Sequence, residues 1–281
     1  MVNSAISISQ SIALVKCTHP LPCLAVSSFA GVISFAHSHS IEQSLVISFA
    51  VLLQQFSVGL SNDWLDYKRD KAAGRTDKPA VSGLVKLSHL KVGSLMAAGL
   101  AEMVAISLGL GPAVLMLLML LFGWSYNLGM KNNWSSAIPY ALGFGALPIF
   151  TGLADPDPYW SPTWIVLVAA LLGVSAHFAN ALPDQVADKL TGVNALPHIL
   201  GRRVSSAVIG VSALVATVIT VTQSPSLPPA VSIAGLATIL LLAGSASLLS
   251  LRSVPPRMVF PLLIAAALIN VILLVLGLPK Y

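Results

Sequence analysis

The feature that most constrains this fold is a series of about nine apolar stretches separated by short polar or Pro- and Gly-rich breaks. The stretches lie at residues 12–36, 42–60, 88–109, 112–127, 135–153, 163–181, 204–222, 229–250 and 257–278. A helix needs about 20 mostly apolar residues to cross a bilayer, and these stretches approach or exceed that length. A mean hydropathy of +0.86 with 56% hydrophobic residues excludes an ordinary soluble domain. The sequence predicts an all-α membrane protein, with residues 1–281 forming one transmembrane domain built as a bundle of about nine transmembrane helices.

Basic residues are distributed unevenly between the two ends of the predicted helices. With a cytoplasmic N-terminus, one set lies on the cytoplasmic side: Lys16, Lys68, Arg69, Lys71, Arg75, Lys78, Lys86, Lys91, Lys131, Lys189, Arg202, Arg203, Arg252 and Arg257. Lys280 falls on the opposite side, with the acidic Glu42, Asp155 and Asp157. Cytoplasmic loops of membrane proteins carry an excess of Lys and Arg, so this pattern predicts the orientation. It also accounts for the net charge of +5 and the pI near 9.4, so no nucleic-acid partner is expected.

One pattern, Asn-x-x-x-Asp-x-x-x-Asp, occurs twice in a chain that has only ten acidic residues. The first motif contains Asn62, Asp66 and Asp70, and the second contains Asn180, Asp184 and Asp188. A spacing of four places these side chains on one face of a helix, with Asp63 off that face. Converging carboxylates repel one another unless cations neutralise them, and Mg²⁺ is commonly held by carboxylates together with phosphate oxygens. The duplication therefore predicts two facing helices that bind one phosphorylated substrate through metal.

Both motifs end in segments that predict a departure from a straight helix. The first is followed by residues 71–83, where Gly74, Pro79 and Gly83 indicate a loop. Pro183 in the second motif predicts a kink just before Asp184. For the first motif alone, the alternative is a solvated helix end with local salt bridges, because its aspartates alternate with basic residues.

With these residues in view, the chain resembles the UbiA superfamily of intramembrane prenyltransferases, nine-helix proteins with one aspartate-rich motif after helix 2 and another after helix 6. The first motif and the following Lys78-Pro79-x-x-x-Gly83 resemble the first signature of that family. Asp184-x-x-x-Asp188, continuing into Leu196-Pro197-x-x-x-Gly201, resembles the second signature. Tyr126 with Lys131, and Lys16 with His19-Pro20, are similar to two further elements of the family. The resemblance covers the whole chain.

The resemblance implies a role for each matching residue. Asp66, Asp70, Asp184 and Asp188, with Asn62 and Asn180, are expected to hold Mg²⁺ or Mn²⁺ against an isoprenyl diphosphate. Lys78 and Lys131 are expected to contact diphosphate oxygens, and Tyr126 to donate a hydrogen bond there. Lys16 is expected near the acceptor or the diphosphate. Asp63 completes the predicted catalytic carboxylates. Either Asp63 or Asp70 is a candidate for the base that removes a proton from the acceptor. His177 is either a packing histidine or a residue that supports catalysis beside the second motif.

The family reading implies an enzyme in the lipid bilayer that transfers an isoprenyl group to a lipophilic or aromatic acceptor, with its metal–diphosphate site facing the cytoplasm. A terpene cyclase on the same fold uses the same motifs without an acceptor, and the sequence leaves this alternative open. A secondary transporter is disfavoured because transporter sites usually lie near the middle of the bilayer in broken helices, whereas both motifs here lie at one surface. Neither the acceptor nor the prenyl length is specified by any motif.

Overall fold

A computed structural model describes residues 8–37, 40–190 and 192–278 of the protein, which form helices joined by loops and turns. The α-helices are α1 (Ile8–Cys17), α2 (Pro20–Ala36), α3 (Ile41–Ala72), α4 (Leu87–Leu108), α5 (Leu110–Leu128), α6 (Ile138–Leu153), α7 (Thr163–Ala181), α8 (Gln185–Leu190), α9 (Leu196–Gln223), α10 (Pro229–Ser250) and α11 (Val259–Gly277). Within the described residues, eight helices are long and apolar enough to cross a membrane, or nine if the bent pair α1–α2 is one span. This agrees with the predicted all-α bundle of about nine membrane helices. Lys280 lies outside the described residues.

The first predicted helix, residues 12–36, is wrong as a continuous helix. The chain bends by 61° between α1 and α2. His19 adopts a left-handed conformation there, with φ 56°. Proline disfavours the α-region in the residue before it, so Pro20 explains why α1 cannot run straight into α2. The break has a close neighbour in α3, because a β-carbon at Gly59 would lie 2.5 Å from the carbonyl oxygen of Thr18.

Helix α3 carries the first aspartate motif at its C-terminal end. Its N-terminus is capped by Ser40, whose hydroxyl oxygen accepts a hydrogen bond from the Gln43 backbone N–H. At 1.5 Å per residue this helix is roughly 48 Å long, longer than the ~30 Å hydrocarbon core of a bilayer. It therefore continues beyond one apolar span, as predicted, and its final turns carry the motif.

The interior is divided between two large apolar clusters. In the first half of the chain, α3 packs against α2, α4 and α5 through buried residues such as Ile47, Val51 and Met116. In the second half, α7, α9, α10 and α11 pack around Phe178 and Ile209. Both cysteines, Cys17 and Cys23, are free and buried.

The second motif spans the bend that was predicted from Pro183. Helix α7 ends at Ala181, and a 3₁₀ turn over Leu182–Asp184 precedes the short helix α8. Pro183 lacks a backbone N–H and cannot continue the α-helical hydrogen bonding, which explains the change of axis at this point. Asp184 and Asp188 therefore do not continue the straight α7 stripe that begins with Asn180.

Large apolar side chains are exposed along the outer helices. Leu110 is 82% exposed, Leu241 71% and Leu248 70%. Exposed apolar surface on this scale, on helices of membrane-spanning length, is the surface that lipid covers. The protein is a multi-pass integral membrane protein.

Candidate functional site

The first motif is a buried set of carboxylates. Asp63, Asp66 and Asp70 are only 3–6% exposed. Burial of an unpaired carboxylate is costly, so these groups need partners. This burial does not fit the alternative of a solvated helix end.

Asp66 is the carboxylate on which two basic residues converge. Arg69, one turn along α3, donates a hydrogen bond from Nη2 to Asp66 Oδ2 over 2.7 Å. Lys131, from the 3₁₀ turn after α5, donates its Nζ–H to Asp66 Oδ1. Burial lowers the pKa of Lys131, while the neighbouring Asp66 acts in the opposite direction. The predicted diphosphate lysine is therefore held beside a predicted metal ligand.

Asp63 has partners on two other segments. Lys78 Nζ donates to Asp63 Oδ1 over 2.6 Å, and His19 Nε2 lies 3.1 Å from the same oxygen. The buried side chain of Cys17 also lies close to this carboxylate. Asp63 thus ties the α1–α2 break and the loop after α3 to the first motif. Lys16, which was predicted near the acceptor or diphosphate, is exposed in the last turn of α1.

Asn62 faces α5 through a chain of amide contacts that the sequence did not indicate. Its Nδ2 donates to Asn127 Oδ1 over 3.0 Å, and Asn127 Nδ2 in turn donates to Val58 O and Ser61 Oγ. Asn127 follows Tyr126 directly, and a polar residue in an otherwise apolar helix was the available signal for it. The pair fixes the register of α3 against α5 at the level of the first motif.

The second motif lies opposite the first and is less buried. The Asp184 side chain is 42% exposed, with its Oδ1 3.7 Å from Arg75 and 4.0 Å from Arg257. Asp188 Oδ2 lies 3.7 Å from His198 Nε2. Burial raises the pKa of Asp188, and the nearby carboxylates of Asp184 and Asp66 act in the same direction. The 3.7 Å approach of Arg75 to Asp184 brings the loop after the first motif against the second motif.

The loop of residues 73–86 is anchored beside both motifs. Ala80 and Val85 are buried with Leu60 of α3 and Leu90 of α4. Arg75 donates hydrogen bonds from Nε and Nη2 to the Asp77 carboxylate over 3.0 and 3.1 Å. These bonds raise the pKa of Arg75 and lower that of Asp77.

A cavity of about 310 Å³ opens beside the first motif; of the motif aspartates, Asp66 lines it, and Asp184 and Asp188 do not. Its walls combine α3, the end of α5, the following 3₁₀ turn and the loop after α8, through Leu65, Asp66, Arg69, Asn127, Leu128, Lys131, Asn132, Gly192 and Val193. One carboxylate and two basic side chains therefore face a space of small-molecule size. Asn180 is exposed at the end of α7 and does not line this cavity.

Tyr126 belongs to an aromatic cluster and does not line the cavity. Its ring centroid lies 5.2 Å from that of Tyr140 and 5.7 Å from that of His177. The Tyr140 side chain lies close to both Tyr126 and the Asn180 side chain. Sequence reasoning missed Tyr140, which lies in an apolar helix outside both motifs. Tyr140 therefore lies between Asn180 of the second motif and Tyr126.

His177 is a fully buried histidine with one specific partner. Its Nε2 lies 2.9 Å from Ser136 Oγ, and that oxygen accepts a hydrogen bond from the Leu196 backbone N–H. His177 therefore holds α7 to the start of α9, which agrees with the packing role considered for it.

Among the residues whose side chains are described, no three His, Cys, Asp or Glu groups are gathered to bind one metal ion. The oxygen donors of the two motifs nevertheless fit Mg²⁺. This ion is usually held by one or two carboxylates, with substrate phosphates and water completing its shell. The donor set suits a metal that binds together with a diphosphate.

The family model for the UbiA prenyltransferase family matches residues 22–272. The chain belongs to the UbiA prenyltransferase family. This match includes both aspartate motifs, the loop between α3 and α4, and the Tyr126–Lys131 segment. No curated protein matches the chain significantly.

Solved structures of UbiA proteins share the fold at low sequence identity. A UbiA homolog from Aeropyrum pernix K1, solved in its apo form, has a TM-score of 0.73 at 17% identity, covering 88% of this chain and 94% of that one. A UbiA homolog from Archaeoglobus fulgidus, bound to GPP and Mg²⁺, has a TM-score of 0.73 at 15% identity, covering 94% of this chain and 98% of that one. A digeranylgeranylglyceryl phosphate synthase has a TM-score of 0.62 at 19% identity, covering 96% and 98%.

Proposed function

We propose that this UbiA-family protein transfers an isoprenyl group from an isoprenyl diphosphate to a lipophilic, aromatic acceptor within the bilayer. The observation that carries the proposal is the cavity beside the first motif, where Asp66 pairs with Arg69 and Lys131. A site for an isoprenyl diphosphate requires carboxylates that bind a divalent cation and basic groups that bind phosphate oxygens. The Archaeoglobus homolog bound to GPP and Mg²⁺ supports the same donor class for this fold.

In the proposed complex, Asp66, Asp70, Asp184 and Asp188, with Asn62 and Asn180, hold Mg²⁺ or Mn²⁺. The bound metal stabilises the negative charge that develops on the departing diphosphate. Asp63 is the remaining catalytic carboxylate of the site and is not assigned to the metal. The aspartates already pair with basic side chains. Donor binding would therefore turn these basic groups toward phosphate oxygens and leave carboxylate oxygens available to hold the metal.

The basic side chains provide the second part of the donor site. Lys131 and Lys78 are compact point charges suited to phosphate oxygens, and Arg69 adds a planar guanidinium at the cavity wall. Tyr126 supplies a hydroxyl near the same end of α5. Lys16, exposed at the end of α1, contributes charge for the acceptor or the diphosphate. Preorganised positive charge of this kind lowers the barrier to C–O bond cleavage.

The test uses purified protein with Mg²⁺ and isoprenyl diphosphates of several lengths, with and without lipid-soluble aromatic acceptors. Mass spectrometry should detect a prenylated acceptor that requires both substrates, and a chelator should abolish it. An isoprenoid product formed equally well without acceptor would instead identify a terpene cyclase. Chelator-resistant turnover, or ion-coupled flux in proteoliposomes without any turnover, would refute the proposal.

We further propose that the site faces the cytoplasm, on the basis of the uneven distribution of basic residues. Lys68, Lys71, Lys86 and Lys91 are exposed near the first motif and offer direct probes of orientation. An impermeant amine reagent should label them in inside-out vesicles and leave them unlabelled in intact cells. Labelling of the same lysines in intact cells would reverse the orientation.

A further inference from the structure

His19 occupies an unusual position beside the first motif. It lies in the break between α1 and α2, and it is the one non-glycine residue with positive φ in the part of the chain that the structure describes. Backbone conformations of this kind are costly and tend to persist at functional sites. Its side chain is 39% exposed, whereas its partner Asp63 is 2% exposed.

The contact with Asp63 determines which ring nitrogen of His19 is available. An ionised carboxylate only accepts hydrogen bonds, so the Nε2–H of His19 donates to Asp63 Oδ1 across the 3.1 Å contact. In the neutral ring, Nδ1 then carries the free lone pair. A buried aspartate that orients a histidine in this way also stabilises the imidazolium that forms when the histidine takes up a proton.

His19 also lies next to the region expected to bind the donor. Lys78, a predicted diphosphate ligand, donates to the same Oδ1 of Asp63 over 2.6 Å. The imidazole and the ammonium group are thus neighbours that share one acceptor atom. With Lys78 on the diphosphate, as proposed above, the imidazole is one hydrogen-bonded side chain away from the donor whose C–O bond breaks.

We propose that His19 accepts the proton that the acceptor loses during prenyl transfer, with Asp63 orienting it. This rests on the function proposed above. The C–O bond of the donor breaks, and diphosphate leaves with the electron pair. A ring carbon of the aromatic acceptor uses a π-electron pair to form the new C–C bond. Its proton then passes to His19 Nδ1, which restores the aromatic ring.

The surroundings favour His19 over the carboxylates first considered as bases. Asp63 already accepts hydrogen bonds from Lys78 and His19, and Asp70 is buried and lies 3.9 Å from Arg69. The partly exposed His19 ring can return its proton to water after each turnover. The charged groups around it are Asp63 and Lys78, with Lys16 three residues earlier in the chain.

Donor binding has a direct consequence for this pair. When Lys78 turns toward a diphosphate oxygen, the charge of Asp63 is no longer shared between two partners and is fully available to the His19 imidazolium. Binding of the first substrate thereby prepares the proton acceptor for the second.

The test compares His19→Asn, His19→Gly and the control His89→Asn in the full-length protein. Asparagine tolerates the left-handed conformation better than most residues, and glycine adopts it freely, so both substitutions suit the break. His89 is an exposed histidine at the start of α4. Single-turnover formation of the prenylated acceptor is measured beside Mg²⁺-dependent binding of the donor diphosphate by tryptophan fluorescence.

We expect His19→Asn to slow product formation by about 10²–10⁴-fold, the usual contribution of a general base, while donor binding stays at the wild-type level. Added imidazole should restore part of the rate in His19→Gly and leave His89→Asn and the wild type unchanged. Wild-type turnover in His19→Asn, a parallel loss of donor binding, or no response of His19→Gly to imidazole would each overturn the assignment. A wild-type protein that releases no diphosphate from any donor would instead refute the proposed function, and this inference with it.

Discussion

The guanidinium of Arg75 lies 3.7 Å from the carboxylate of Asp184, so the loop after the first motif contacts the second motif directly. Because Arg75 also hydrogen-bonds Asp77, it keeps the loop folded while it spans the two halves of the site. Arg257, before α11, approaches Asp77 and Asp184 at 3.9 and 4.0 Å. The loop therefore connects the end of the first motif to the second motif through ion pairs.

Replacing Arg75 should loosen this loop without unfolding the protein. Partly exposed ion pairs contribute only about 0.2–1 kcal/mol, so Arg75→Met should leave the thermal stability nearly unchanged. Hydrogen exchange of residues 73–86 should nevertheless become faster, and the apparent KM for the donor should rise. The control is Arg203→Met, since Arg203 is exposed at the start of α9. Unchanged exchange in Arg75→Met would mean that apolar packing alone holds the loop.

The ion pair between Arg75 and Asp77 should make the protection of the loop depend on pH. Arg75 lowers the pKa of Asp77, so their pair is fully present above the usual aspartate pKa of about 4 and is lost as the pH falls through the lowered value. In the wild type, protection of residues 73–86 should therefore persist from pH 7 down to about pH 4. In Arg75→Met the additional protection should already be absent at pH 7. Loss of wild-type protection well above pH 4 would contradict this assignment.

Removal of one carboxylate from either motif should abolish turnover. Asp66→Asn retains an oxygen that can accept the hydrogen bond from buried Lys131, which limits the structural damage. We expect Asp66→Asn and Asp184→Ala to be inserted into the membrane normally and to form no detectable product. The matched control is Asp157→Asn, because Asp157 is exposed in the loop between α6 and α7. Wild-type rates in either motif variant would exclude a site built from both motifs.

The two lysines of the loop should behave differently. Lys78 contacts buried Asp63, whereas Lys86 is exposed just before α4. Loss of one charge-assisted contact costs on the order of 1.5–3 kcal/mol, so Lys78→Ala should reduce kcat/KM for the donor roughly tenfold to a hundredfold. Lys86→Ala should leave it close to wild type. Small and equal effects of the two substitutions in steady-state assays would mean that Lys78 contributes to membrane orientation rather than to donor binding.

Two glycines test the packing that positions the break before α2. Gly59→Ala would place a β-carbon 2.5 Å from the Thr18 carbonyl oxygen, next to His19. Overpacking of this kind typically costs 1–3 kcal/mol, so the melting temperature should fall. Gly99→Ala meets no atom within 4 Å and should leave stability unchanged or raise it slightly. Equal melting temperatures for both variants would show that the α1–α2 break can shift away from α3 at little cost in stability.

Several elements followed from local patterns in the sequence. Runs of apolar residues determined the helical membrane bundle, because a chain in lipid must satisfy its backbone hydrogen bonds within each segment. The four-residue spacing placed Asp66 and Asp70 on one side of α3, and Pro183 predicted the bend before Asp184. The paired motifs were specific enough to indicate the UbiA family, which the family match then showed. The cytoplasmic orientation and the residue roles at the site stay predictions.

The partners of the charged groups were decided by the tertiary structure alone. Asp63 is hydrogen-bonded to His19, 44 positions earlier in the chain, and Asp66 is hydrogen-bonded to Lys131, 65 positions later. Asn127 and Tyr140 lie outside both motifs, and the polarity of a residue in an apolar helix does not indicate which side chain it contacts. Periodicity along a helix specifies which face a side chain occupies. Which group meets it there depends on how separate helices pack, and on the break at His19 that turns an exposed imidazole toward a buried carboxylate.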